Sequence, residues 1–90
     1  NPMGPLATAV NVHFAAAQPN FKILEYLLPT DSNWNDWVDD PFMPEDGHLV
    51  LRPDRPGLGV EINEDVISNN EYVHWERSSP IRTDGSTGYI

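Results

Sequence analysis

Cysteine is absent from the 90-residue chain, which excludes a disulfide framework, a thiolate zinc site and a cysteine nucleophile. Basic residues are scarce: five Lys and Arg stand against fourteen Asp and Glu, for a formal charge of −9. Nucleic acids and anionic membranes both reward a basic surface, so neither is expected as a partner. No run approaches the length of a membrane span, about 20 continuous apolar residues, and no signal-peptide pattern opens the sequence. A cysteine-free, acidic composition fits a cytoplasmic location. Internal repeats are lacking too. Nine prolines and six glycines cut the chain into short pieces, and the length allows at most one domain.

What is present begins with a loop-like stretch, Asn1-Pro2-Met3-Gly4-Pro5, which reads as the middle of a longer polypeptide. Gly4-Pro5 is also a helix-start signal, because the missing N–H of a proline costs nothing at the first helical position. The run Leu6 to Ala17 that follows has almost no polar face, so the helix is expected to be buried on most sides. Pro19 and Asn20 end it. Phe21-Lys22-Ile23-Leu24-Glu25-Tyr26-Leu27-Leu28 then reads as a continuous apolar strand of the parallel, doubly covered kind. Helix, short connection and strand make one αβ unit. Such a unit cannot bury itself, and no second segment of comparable hydrophobicity follows among the remaining residues. A self-contained α+β domain is the weaker reading for that reason.

After Pro29 the composition turns polar, in a loop from Asp31 to Asp40 that carries Trp34 and Trp37. Short strands are expected at His48–Leu51, Gly59–Ile62 and Tyr72–Glu76, a helical turn at Asn63–Ile67, and a tight turn at Asp84–Gly88.

Glu25 is the most informative residue. Period-two alternation groups Phe21, Ile23, Glu25 and Leu27 on one strand face, and Lys22, Leu24, Tyr26 and Leu28 on the other. A carboxylate among apolar neighbours is costly unless paired or hydrogen-bonded. Active sites of α/β barrels lie at the C-terminal ends of their strands, where Glu25 falls. A strand-end Glu that reaches solvent or pairs with an Arg has the same pattern. The histidines say less. His13 lies mid-helix among alanines and suits packing; His48 opens a strand beside a turn; Glu71-x-x-His74 has a metal-site spacing but occurs once, in an extended setting. Asp31-x-Asn33-x-Asn35 opens like a calcium loop, but Asp36 and Phe42 stand where Gly and Glu are needed. Trp34 and Trp37 suit either stacking on a ligand or pinning the loop. Gly57-Leu58-Gly59 lacks the third glycine of a dinucleotide fingerprint and reads as a turn.

The order Asn1-Pro2-Met3-Gly4-Pro5-Leu6, alanine-rich helix, Pro19-Asn20-Phe21-Lys22-Ile23-Leu24-Glu25-Tyr26 resembles the C-terminal part of the enolase superfamily. The nearest branch is similar to the mandelate racemase and sugar-acid dehydratase group, with galactonate, gluconate and mannonate dehydratases as relatives. Asp46-Gly47-His48-Leu49 and Pro56-Gly57-Leu58-Gly59-Val60-Glu61-Ile62 extend the likeness over about residues 1–67. The resemblance implies an α/β fold, the C-terminal part of a modified (β/α) TIM-type barrel. Residues 1–29 would then be the last αβ unit, and 30–90 a segment packing on the barrel and on an α+β capping domain. It also implies a Mg²⁺-dependent dehydratase, with the metal ligands and the catalytic His upstream of this chain. Proton abstraction next to a carboxylate would give an enediolate and, after loss of water, a 2-keto-3-deoxy acid. Only Glu25 carries over as a catalytic and substrate-binding residue: protonated, it would donate a hydrogen bond to the substrate carboxylate. Trp34 and Trp37 are weaker substrate-binding assignments. The implied partners are a small sugar acid, the remainder of the same polypeptide and further copies in a homo-oligomer, and the isolated fragment is expected to be inactive. Two alternatives remain: a racemase, epimerase or lactonising enzyme of the same superfamily, and a non-catalytic acidic module binding sugar through Trp34, Trp37 and Trp75.

Overall fold

The computed structural model describes residues 4–27, 33–74, 76 and 79–88. Its first element, α1, spans Pro5–Ala16, with Pro5 in the first turn as the sequence predicts. Pro5, Ala9, Val12 and Ala15 form its buried stripe. Leu6, Val10 and Phe14, four residues apart, lie on the opposite side and are exposed, Phe14 by 65%. The expectation of burial on most sides is therefore corrected. Among the described residues, nothing covers this second stripe, although its composition is as apolar as the first.

The expected strand at 21–28 also changes. Residues 21–27 are extended but join no ladder among the described residues, and Leu28 lies outside them. Strands exist through hydrogen bonds to neighbours, and none of the described residues supplies one alongside. The strands expected at 48–51 and 59–62 shrink for the same reason, residues 72–74 join no ladder among the described residues, and Trp75 of the expected 72–76 strand lies outside them. What remains is isolated antiparallel bridges, Val38 with Ile62, Glu45 with His48 and Ile81 with Thr87. The Glu45–His48 bridge closes over Asp46 (φ 48°) and Gly47 (φ 77°), an Asp-Gly pair suited to a two-residue turn with both central residues left-handed.

A short 3-10 helix, Asn33–Trp37, occupies part of the predicted polar loop and touches both α1 and a second helix. That helix, α2, spans Glu64–Ser68, where a helical turn was expected. The Asn63 side chain caps it by accepting from the Val66 N–H at 3.4 Å, and Glu64 and Asp65 place negative charge in its first turn. Asp84 anchors the last turn by accepting from the Ser86 hydroxyl (2.7 Å) and N–H (2.9 Å).

The core is small. Ala9, Val12 and Phe42 are its buried centre, with Leu24, Leu49, Leu58 and Val60 partly buried around it. The Arg52 guanidinium lies 4.3 Å over the Phe42 ring, an arrangement favoured by the ring's negative face. It also donates to the carbonyls of Asp40, Pro41 (3.1 Å) and Gly59 (3.0 Å). Gly59 has φ +72°, and a Cβ there would stand 3.6 Å from Arg52 and 3.8 Å from Phe42. Those are ordinary contact distances, so it is the left-handed conformation that calls for glycine here.

Candidate functional site

Alternation survives the loss of the ladder along residues 23–27, whereas Phe21 and Lys22 are both exposed. Phe21, Ile23, Glu25 and Leu27 are exposed, Ile23 by 87%, while Leu24 and Tyr26 are half-buried. Glu25 thus shares an uncovered face with three large apolar side chains, and Leu24 on the other face packs on the core. Clustered exposed apolar side chains mark a surface that another body covers.

On the core side the Tyr26 hydroxyl donates to the Phe42 carbonyl at 3.0 Å and contacts the Met43 sulfur at 3.4 Å. Burial pushes the Tyr26 phenol above its ordinary pKa, which keeps it a donor. The Asn35 amide approaches the same sulfur at 3.6 Å. Through Met43, the 3-10 helix carrying Trp34 and Trp37 is therefore joined to the end of the segment carrying Glu25. Trp34 is 38% exposed. Trp37 is half-buried, and its indole N–H is buried without a hydrogen-bond partner among the described residues. Trp75 lies outside the described residues.

A groove of about 540 Å³ runs between α1, residues 21–26 and residues 44–51, lined in part by Val12, Leu24, Tyr26 and His48. Glu25 does not line it. His48 donates through Nδ1 to the Asp46 carbonyl at 2.8 Å. His13 does the same to Ala9 at 2.9 Å, with its ring edge toward Phe42, in the packing role its setting indicates. His74 bonds Glu76 at 3.0 Å and Tyr72 at 3.3 Å on an exposed stretch. Among the described residues no cluster of three or more His, Cys, Asp or Glu side chains could hold a metal ion. No described helix is long and apolar enough to cross a membrane.

Two features escape the sequence reading. One is the Tyr26 tether, whose only signal is its place next to Glu25 on the opposite strand face. The other is the charge clamp in which Arg55 pairs with Asp39 and Asp40 while Arg52 pairs with Asp40. Its signal is two arginines in a Pro/Gly turn facing two adjacent aspartates. The Glu61 N–H bonded to Asp39, and then Arg55, hold the Asp39 carboxyl below the usual carboxylate range, and Asp39 raises Arg55 in return.

The enolase C-terminal domain-like family model matches residues 1–66. Muconate cycloisomerase 1 of Rhodococcus opacus is 36% identical over 64 residues, covering 71% of this chain and 17% of that protein. A D-galactonate dehydratase of Xanthomonas campestris pv. campestris is 32% identical over 93 residues, covering 94% of this chain and 24% of its own. The chain thus spans at most about a quarter of these curated relatives. Among solved structures, an Agrobacterium radiobacter enolase, a candidate galactarate dehydratase with Na and L-malate bound and an ordered active site, superposes with a TM-score of 0.82. It is 51% identical, and the match covers 97% of this chain and 25% of that one.

Proposed function

This chain belongs to the enolase C-terminal domain-like family, and from that membership we propose that it is the C-terminal part of a sugar-acid dehydratase. The observation that carries the reading is Glu25, the one acid on an otherwise apolar, uncovered face of an extended segment. In a barrel that face turns toward the interior, and the end of the strand toward the mouth.

The chemistry starts with removal of the proton on the carbon next to the substrate carboxylate, by a base outside this chain. The electron pair moves onto the carboxylate oxygens, giving an enediolate. Charge there is stabilised by donors aimed at where it develops. In this reading Glu25 lies at the substrate carboxylate, as one of the groups that hydrogen-bond the developing charge. The enediolate then collapses, the 3-hydroxyl leaves as water with a proton from a general acid, and the enol tautomerises to a 2-keto-3-deoxy acid. Trp34 forms an apolar wall near the mouth, with Trp37 behind it. The Mg²⁺ on which such an enzyme depends has its ligands outside this chain, and the working form is a cytoplasmic homo-oligomer.

In the full polypeptide, Glu25→Gln keeps a donor but loses the acid. It is expected to lower kcat by about 100-fold, because the amide is a poorer partner for the developing charge than the carboxyl it replaces, with KM changed by less than about threefold. The assay is formation of a 2-keto product from a panel of galactonate, mannonate, xylonate and galactarate. Wild-type activity in this variant would overturn the role of Glu25. The similarity to a muconate cycloisomerase favours a second reading, a lactonising enzyme; a wild-type protein that makes no 2-keto product yet interconverts a lactone and an unsaturated acid would establish it instead.

A further inference from the structure

The reading of Glu25 leaves open what fixes its position, since residues 21–27 have no ladder among the described residues to hold them. The segment is tied at its start, where the Phe21 N–H donates to the Gln18 carbonyl at 3.3 Å just beyond α1. Leu24 packs on the core in the middle. The far end is tied by Tyr26, whose hydroxyl donates to the Phe42 carbonyl at 3.0 Å.

That carbonyl is a firm anchor. Phe42 is 3% exposed, its ring lies under the Arg52 guanidinium and meets the edge of His13, and the preceding carbonyl accepts from Arg52. In an extended chain adjacent side chains point to opposite faces. A hydrogen bond that holds Tyr26 against the core therefore sets the backbone from which Glu25 projects the other way. We infer that Tyr26 is a positioning residue for Glu25, acting through the Phe42 carbonyl. This inference rests on the proposed role of Glu25.

Small displacements of a reacting group cost large factors in rate, so removing the tether is expected to act on kcat rather than on KM. In the full polypeptide, Tyr26→Phe is expected to lower kcat about tenfold, with KM within about twofold of wild type. Met43→Leu, which removes the sulfur contacts to Tyr26 and Asn35 but leaves the bond to the Phe42 carbonyl, is expected to leave kcat within about twofold. The deciding measurement is a double-mutant cycle. In a Glu25→Gln background, Tyr26→Phe should change kcat by less than about twofold, because the group it positions is gone.

An equal loss from Tyr26→Phe in both backgrounds would make Tyr26 a general structural residue and overturn the inference. So would an unchanged kcat in Tyr26→Phe, a loss of the same size in Met43→Leu, or a Tyr26→Phe protein that does not fold. If Glu25→Gln costs rate and Tyr26→Phe does not, the inference fails and the role of Glu25 stands. If Glu25→Gln itself costs nothing, both fail.

Discussion

At Asp39, one carboxylate performs two tasks. It accepts from the Glu61 N–H at 2.8 Å beside the Val38–Ile62 bridge, and it pairs with Arg55. Both partners favour the charged form, so its pKa lies lower in the folded state than in the unfolded one. A depressed carboxylate pKa contributes stability above the unfolded value, about 3.9, and that contribution is lost as pH falls through the folded value. Asp39→Asn in the full polypeptide should therefore lower the melting temperature at pH 7. The gap from wild type should begin to shrink as pH falls below about 3.9 and close only once pH has passed through the lower folded value, where Asp39 is neutral in both states. Thermal denaturation between pH 7 and pH 3 checks this, and a gap that stays constant across the range refutes it. The residue-scale features divide by distance along the chain. The exposed face that Glu25 shares with Ile23 and Leu27 was legible because it follows from immediate neighbours, an acid in an apolar alternation. Asp39–Arg55 and Tyr26–Phe42 join residues 16 apart, and sequence alone does not pair them.

Among the elements, α1 is the clearest case of local chemistry deciding structure. Pro5 sets its start, and its alanine-rich run from Leu6 to Ala16 is helical as the sequence predicts. Its burial is another matter, because only one of its two apolar stripes meets described residues. The stripe of Leu6, Val10 and Phe14 is expected to be covered in the full polypeptide. Phe14→Asp there should cost about 3 kcal/mol in urea unfolding, the scale of losing a large buried apolar side chain and burying a charge. A change within about 0.5 kcal/mol, as for an ordinary surface site, would show that the stripe faces water. The 21–27 segment shows the converse. Its alternation is local and persists, while its ladder depends on neighbours that the described residues do not include. The expected strands at 48–51 and 59–62 had the residue types of strands but find only isolated bridges among the described residues. α2 needed only its Asn63 cap and appeared where expected.

The whole chain has a radius of gyration of 16.7 Å, against about 12 Å for a globular chain of this length. Its extents are 55 × 40 × 22 Å. A body this open, with five buried hydrophobics among the described residues, buries too little apolar surface to offset its chain entropy. Residues 1–90 alone are therefore expected to show no cooperative thermal transition and to associate with rising concentration. Circular dichroism and sedimentation check this, and a sharp two-state melt of a monomer would instead favour a self-sufficient binding module.

The sequence by itself determined the local features: where α1 begins, which residues share a face of the extended segment from Ile23 onward, and where the turns fall. These follow from short-range sterics and from periodicity, which involve neighbours in the chain. Only the tertiary structure decided that Phe42 is the hub beneath Arg52, that Tyr26 and Glu25 part to tethered and open faces, and that one stripe of α1 is covered while the other is bare. Those outcomes depend on contacts between residues far apart in sequence, whose geometry is fixed when the segments pack against one another.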